Sequence, residues 1–531
     1  MALKDWFKSD AERLGWKVPD VATTRAPEHG IRVSHDAHRA HQIVDSLPRG
    51  ADVIRSQIDR KERARWARSD EIAAYRYKSG DVVIGKHNGY LIGIGDDKPM
   101  VTVASARSGK TSTVLKPTLY TYPGSMVVLD PKGELARDTA RHRRHRLGQN
   151  VCVLDPFGSS GEPAASWNPL SELNPEADTI LDDVDLLCET MIIDEHGGGG
   201  DGSHWTSSAR ALLRGLVLHA LRLPEADRNL VTVRQLLMLT YPPLVEFQAI
   251  QKAKGATDLA EAAQNALFME MAAQGDVFGG ALAGAGNSFL RKASRERSSI
   301  VSTADAQCKY LDSLPLQAAL RQSDFQMRDL AERATTLYIC LPSSHMATHY
   351  RWLRVVVRLA LLALEKRGAW ERGRPPIIFM MEEFATLGHM PIMEQAAAYF
   401  PGFGVKLWVV LQDLNQLKNN FRNTYQSFLG NAGALQFFAN NDEMTLKYIS
   451  DGLGSLSFVR GQFGAISDEK SKDYLDKERL IYQSEAARAF ARGTGAQLVM
   501  VEGQSPMAIE RLTREDVELL ANTPVIARPV P

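Results

Sequence analysis

Three segments of the 531-residue chain carry polar groups whose types and spacing suit phosphate chemistry. The first is ASARSGKT, Ala104 to Thr111, set between an apolar run and a helical pattern. Holding a polyphosphate takes backbone N–H groups from a tight loop, an ammonium that reaches the terminal phosphates, and a hydroxyl for Mg²⁺. Ser105, Ala106, Arg107, Ser108 and Gly109 would form the loop, Lys110 would supply the ammonium and Thr111 the hydroxyl. Ser112 would open the following helix, whose positive dipole end faces the anion. Ala104 stands where the pattern expects Gly; a methyl group fits there if φ stays negative.

The second segment is IIFMMEEF, an apolar run delivering Glu382 and Glu383 to its C-terminal end. That end is where ligands bind in open α/β sheets. The first acid would support Mg²⁺ and the second would polarise an attacking water, as in RecA-like ATPases. Glu382 stands where Asp is usual, which displaces the carboxylate by about 1.5 Å. The third segment, VKLWVVLQ, ends in Gln412, an amide able to read a terminal phosphate by hydrogen bonding. Taken singly, the acidic pair is equally a solvated turn and Gln412 a turn residue with no role. Together the three point to ATP and Mg²⁺ as cofactors.

Such groups need a scaffold that brings strand ends together. Apolar runs at 100–105, 125–130 and 150–155 alternate with helical patterns at 109–122 and 133–147. Strand patterns resume at 335–342, 377–382, 405–412 and 434–440. This alternation predicts an α/β fold, a RecA-like P-loop NTPase with a mainly parallel sheet flanked by helices. Between the two blocks the pattern is helical, with loops at 196–204 and 224–229, and predicts an inserted all-α domain. The expected division is 1–78 (polar, helical), 79–171 (nucleotide-binding, first part), 172–325 (all-α) and 326–531 (nucleotide-binding, second part, with the C-terminal segment). Asn88-Gly89 predicts a hairpin turn.

The segments around these motifs resemble the TraG/TraD family of conjugative coupling proteins. SMVVLDPKGELARDTARHRR (125–144), VCVLDPFG (151–158), SWNPL (166–170), HWTSSARALLRGLVLHAL (204–221) and the stretch from Met381 to Leu417 carry the likeness, which extends over about residues 80–525. Asp130, Lys132, Gly133, Asp155, Trp167, Asn168 and Pro169 fall in family-like positions. The resemblance implies catalytic roles for Lys110, Glu383 and Gln412, and metal support from Thr111 and Glu382. Asp130, on a strand expected beside that of the phosphate loop, would support the site. Asp155 reads equally as a structural Asp-Pro turn. It further implies a homo-hexamer that hydrolyses ATP between subunits, passes single- or double-stranded DNA through its centre, and hands relaxase–DNA or protein cargo to a type IV secretion channel. An FtsK/HerA-type DNA pump and a non-hydrolysing docking protein of the same fold are the alternatives. The trans-acting Arg of such a ring cannot be placed, since 399–406 offers only Lys406.

Composition narrows the remaining choices. Lys+Arg and Asp+Glu both number 63, so DNA contact must come from a local basic surface rather than bulk charge. The four cysteines form no CxxC pair, which suits a reducing cytoplasm. No stretch reaches the roughly 18 uncharged apolar residues of a membrane helix. WLRVVVRLALLALEK (352–366) carries Arg354 and Arg358 and reads as a packed helix. The family's N-terminal membrane helices are therefore not expected; a cytoplasmic chain with a separate membrane-anchored partner is. RSQIDRKERARWARSDE (55–71) reads as a solvated helix. RHRRHR (141–146) reads as a solvated helix end or a phosphate contact, and His142 with His145 lacks acidic or thiol companions for a metal.

Overall fold

A computed structural model of the chain describes residues 64–193, 201–371, 373–460 and 474–522. Residues 55–63 of the expected N-terminal helix lie outside the described residues. Its remainder has no regular structure over 64–68 and is helical only over Ser69–Ala73. The Glu71 carboxylate explains the late start: it accepts the backbone N–H of Arg68 at 2.8 Å, the reciprocal bond of a helix beginning there.

The strands are β1 (Val82–His87), β2 (Tyr90–Ile94), β3 (Met100–Ala104), β4 (Met126–Leu129), β5 (Asn150–Leu154), β6 (Thr335–Ile339), β7 (Ile377–Met381), β8 (Val405–Leu411), β9 (Ala434–Phe438), β10 (Ser455–Arg460), β11 (Tyr474–Arg479), β12 (Ala496–Val501) and β13 (Met507–Glu510). Eleven of them form one sheet in the order β2-β1-β13-β12-β9-β3-β8-β7-β4-β6-β5. From β9 to β5 all neighbours run parallel. The strands from β12 to β2 extend that block antiparallel. The β1–β2 turn is Asn88-Gly89, with φ of 50° and 79°, the primed turn that the Asn-Gly pair favours.

Both faces of the parallel block are covered, which is why its strands read as unbroken apolar runs. Val101 and Val103 belong to one core cluster, Met100 and Ala104 to the other. The same alternation sends Phe379 and Met381 one way and Ile378 and Met380 the other. A buried polar ladder crosses the strands. The Trp408 indole donates to the Thr102 hydroxyl, which donates to Gln436; the Gln436 amide donates to Gln497, and Gln497 to the Ile84 carbonyl. Such a ladder is satisfied in only one register.

The loop after β3 enters a π-helical turn at Thr111–Leu115 that runs into α1 (Lys116–Thr121). α2 (Glu134–His145) joins β4 to β5. Between β5 and β6 the described elements are all helical. Residues 196–200 of the expected loop lie outside the described residues, while Asp201–His204 already belong to the helix Asp201–Ala220. The two chain segments flanking this region are stitched together: Trp167 N–H donates to the Ala319 carbonyl, Asn168 N–H to the Ser323 hydroxyl, and Ser166 N–H to Asp324. Trp167 is buried and its indole donates to Glu172, so the WNP motif is a clamp at the base of the helical region.

β6 leads to α3 (Ser343–Arg367), whose apolar residues from Trp352 to Leu364 are nearly all buried in the core. Among the described residues no helix is long and apolar enough to cross a membrane. α4 (Arg514–Asn522) packs on α1.

The strand order corrects one expectation. β4 is separated from β3 by β7 and β8, so Asp130 is not beside the phosphate loop's strand. The RHRRHR run is corrected as well. Arg143 is fully buried and donates to Thr336 Oγ1 (2.6 Å) and to the carbonyls of Leu119 (2.7 Å) and Gly124 (3.1 Å). His142 is buried against the carbonyls of Tyr120 and Ala521. A helix packed on a sheet must turn some residues inward whatever their type; here two members of a charged run face in and are used as polar struts.

Candidate functional site

The strand ends put the expected groups in one place because β3, β8 and β7 are successive neighbours. Ala104 ends β3, is buried, pairs with Phe438, and is not among the residues with positive φ. The bend comes later: Arg107 and Gly109 take φ of 58° and 91°. Gly109 accepts the backbone N–H of Thr113 at 2.8 Å, closing the first turn after the loop. The overlapping turn, Thr111–Leu115, is π-helical, closed by the Lys116 N–H on the Thr111 carbonyl, a widening common at functional sites.

The Thr111 hydroxyl donates to Glu382 Oε1 at 2.7 Å. The Lys110 ammonium lies 3.4 Å from Glu383 Oε1. The Gln412 amide donates to both Glu383 oxygens, at 3.1 and 3.0 Å. The longer side chain of Glu382 is thus accommodated, and it reaches the Thr111 hydroxyl directly. Glu382 is buried; desolvation pushes its carboxyl above the ordinary range, and the bond from Thr111 and the nearby Lys110 charge pull it back.

Glu383 has φ 57° and ψ 45°, a left-handed conformation that costs a non-glycine residue roughly 1–2 kcal/mol. Thr386 holds it there, donating its N–H and its hydroxyl to the Glu383 carbonyl at 2.9 and 2.8 Å. Arg354 of α3 fixes the rest of the turn, donating to the carbonyls of Leu387 and His389. The backbone therefore swings two consecutive carboxylates to different partners: Glu382 to Thr111, Glu383 to Lys110 and Gln412. A hydroxyl and a carboxylate at hydrogen-bonding distance are hard oxygen donors that suit Mg²⁺, and an ammonium beside them suits a polyphosphate. The donor set fits a Mg²⁺–nucleotide.

Asp130 stands one strand beyond Glu382, in register with it across the β4–β7 pair. Its Oδ2 accepts the Ala136 N–H at 2.8 Å, while Oδ1 is buried with no partner. Burial, with the Glu382 charge adding to it, pushes the carboxyl up to about 7 against the pull of the Ala136 bond. Asp155 lies further off and is saturated, accepting the N–H and hydroxyl of both Ser159 and Ser160 at 2.6–2.9 Å. Gly133 is packed against that same turn; a Cβ there would sit 2.6 Å from Ser160 N. Asp155 and Gly133 thus lock the loops after β4 and β5 together. Lys406, the one cation at a family-like interface position, is buried within β8 and bonds Asp96 and the Lys98 carbonyl, so it serves this chain internally.

Two residues at the site escaped the sequence reading. Asn440, just past β9, donates to the Val103 carbonyl at 3.2 Å. Arg511, just past β13, donates to the Ser108 carbonyl at 2.7 Å. Asn440 ends the expected strand 434–440 and was legible as another strand-edge polar group. Arg511 lies 403 positions from its partner, and no local pattern marks it.

The chain matches the family model for type IV secretory system conjugative DNA transfer over residues 52–514. It is 28% identical over 491 residues to the conjugal transfer protein TraG of Escherichia coli, covering 88% of this chain and 72% of that protein. It is 24% identical over 519 residues to the type IV secretion system-coupling protein VirD4 of Bartonella quintana, covering 88% of this chain and 75% of that one. Among solved structures it is similar in fold to the plasmid coupling protein TrwB in complex with ADP and Mg²⁺. The TM-score is 0.60 at 15% identity, over 84% of this chain and 93% of that one.

Proposed function

We propose a function from the premise that this chain belongs to the type IV secretory system conjugative DNA transfer family. It is an ATP-driven coupling protein that recruits relaxase–DNA or protein substrates to a type IV secretion channel and powers their passage. One observation carries the ATPase part: Lys110 and Thr111 meet Glu382, Glu383 and Gln412, brought together from three strand ends.

In this reading the loop from Ser105 to Ser112 cradles the phosphates and Lys110 holds the terminal ones. Thr111 and Glu382 hold Mg²⁺, which when bound neutralises charge developing on the phosphates. Glu383 orients the attacking water and takes its proton. Gln412, bonded to both Glu383 oxygens, follows the state of that carboxylate and passes it along β8. Asp130 supports Glu382 from the next strand. The assembly is a homo-hexamer that grips DNA by its phosphates rather than its bases. It works at the cytoplasmic face of the membrane.

ATP hydrolysis with and without single-stranded DNA tests this against the alternatives. A wild-type rate above that of Lys110→Ala, raised by DNA, is expected. Equal rates would favour a docking protein that does not hydrolyse. Copurification of a relaxase or channel protein from cells would separate coupling from a chromosome-pumping role.

A further inference from the structure

Arg511 is only 8% exposed, and among the described residues no carboxylate pairs with it. A buried cation ordinarily keeps an acid beside it, because burial strips its hydration. Among the described residues Arg143 and Arg354 also lack one and are held by carbonyls; Arg511 differs from them in lying against the loop of residues 105–112. Arg511 has instead two carbonyls, Ser108 at 2.7 Å and Arg492 at 2.6 Å, and the face of Phe438 at 4.9 Å. Burial lowers the guanidinium's pKa, and the nearby charge that acts on it, another cation, Arg492, adds to the fall. Its Nε has no partner, and neither has the hydroxyl of Ser108, which is 3% exposed. A guanidinium short of an anion and a hydroxyl short of a partner therefore sit together against the loop read above as the phosphate cradle.

We propose that Arg511 is a positioning residue for the nucleotide: it pins the Ser108 carbonyl so that the loop's N–H groups face the phosphates, and the bound polyphosphate supplies its missing counter-charge. The inference rests on the reading of residues 105–112 as a phosphate site. It also gives the antiparallel extension a task. The Arg511 backbone N–H donates to the Gly495 carbonyl at 2.7 Å and its side chain to the Arg492 and Ser108 carbonyls, so the segments flanking β12 and β13 meet at the loop through this one residue. Nucleotide occupancy and the packing of the C-terminal segment are then coupled.

The test is equilibrium binding of Mg–ADP and a Mg-bound non-hydrolysable ATP analogue, with thermal unfolding of the free protein measured alongside. Arg511→Gln keeps a donor for Ser108 but removes the charge; Arg511→Lys keeps the charge. Arg511→Gln is expected to weaken binding about tenfold or more, more for the triphosphate than for ADP, with Arg511→Lys closer to wild type. The free Arg511→Gln protein is expected to melt no lower than wild type, since an uncompensated buried charge has been removed. Wild-type affinity in Arg511→Gln overturns the inference. So do equal losses in both variants with equally lowered melting, which would make Arg511 a brace alone. Arg511→Met serves the same comparison should Arg511→Gln not fold. Lys110→Ala, run in parallel, separates the two readings: if it weakens binding and Arg511→Gln does not, only this inference fails. If Lys110→Ala also binds normally, the phosphate-site reading fails with it.

Discussion

Thr111 and Glu382 are 271 positions apart, yet their side chains meet at 2.7 Å. The pair joins the helix after β3 to the end of β7, across the intervening β8. Shortening Glu382 to Asp withdraws the carboxylate by about 1.5 Å and opens this contact. Glu382→Asp is expected to weaken the Mg²⁺ dependence of nucleotide binding while leaving binding without Mg²⁺ unchanged. A Mg²⁺ titration of nucleotide affinity checks it, and an unaltered Mg²⁺ midpoint would remove Glu382 from metal support.

Glu383 and Gln412 form the second contact. Glu383→Gln keeps the shape but removes the base, so nucleotide should bind near normally while turnover falls by about 10²–10⁴-fold. Gln412→Ala should lower kcat with little change in KM, since it orients Glu383 rather than holding phosphate. Steady-state kinetics of both variants decide this. Full turnover in Glu383→Gln would end its role as base.

Asp130 should give stability a particular pH dependence. Its carboxyl titrates near 7 in the folded protein and near 3.8 unfolded, so between those values the folded state binds the extra proton. Its contribution is therefore most favourable below about pH 4 and falls as pH rises towards 7, by about 4 kcal/mol in all. Asp130→Asn removes this dependence. The melting temperature of Asp130→Asn relative to wild type should rise between pH 5 and 7 and level off above. A difference that does not change with pH would show that Asp130 titrates normally.

Arg143 and Arg141 share one basic run and should behave oppositely. Arg143→Ala removes three buried hydrogen bonds, to Thr336 Oγ1 and to the carbonyls of Leu119 and Gly124, and leaves a cavity in the core, and should cost about 3–5 kcal/mol. Arg141 is exposed, and its loss should stay within about 0.5 kcal/mol. Denaturant unfolding of the two variants measures the contrast.

The sequence revealed what local pattern can encode. Seven parallel strands were legible because burial on both faces leaves unbroken apolar runs such as IIFMM and VKLWVVL. Glu382, Glu383 and Gln412 were legible because each follows the end of such a run, and Lys110 and Thr111 because they close a loop set between a strand pattern and a helix pattern. Spatial order was not, because β7 and β8 enter between β3 and β4 only through long crossovers; hence Asp130 was expected one strand pair too close. β12 and β13 were missed: β13 is four residues long, and its pairing is set by contacts with β1 and β12 rather than by its own pattern. The inward turn of Arg143 lay in the spacing, since Leu135, Ala136, Thr139 and Ala140 mark the inner face of α2 and Arg143 continues it; the charge of the run masked that signal.

The central claim is that the phosphate loop and the β7 carboxylates serve one Mg²⁺–nucleotide. A crystal structure of the protein with Mg²⁺ and a non-hydrolysable ATP analogue addresses it without intermediaries. The account predicts terminal phosphates against Lys110 and a metal held by the Thr111 hydroxyl and Glu382, with Glu383 facing the terminal phosphate. A nucleotide bound elsewhere, with Thr111 and Glu382 still bonded to each other and away from any phosphate, would contradict it.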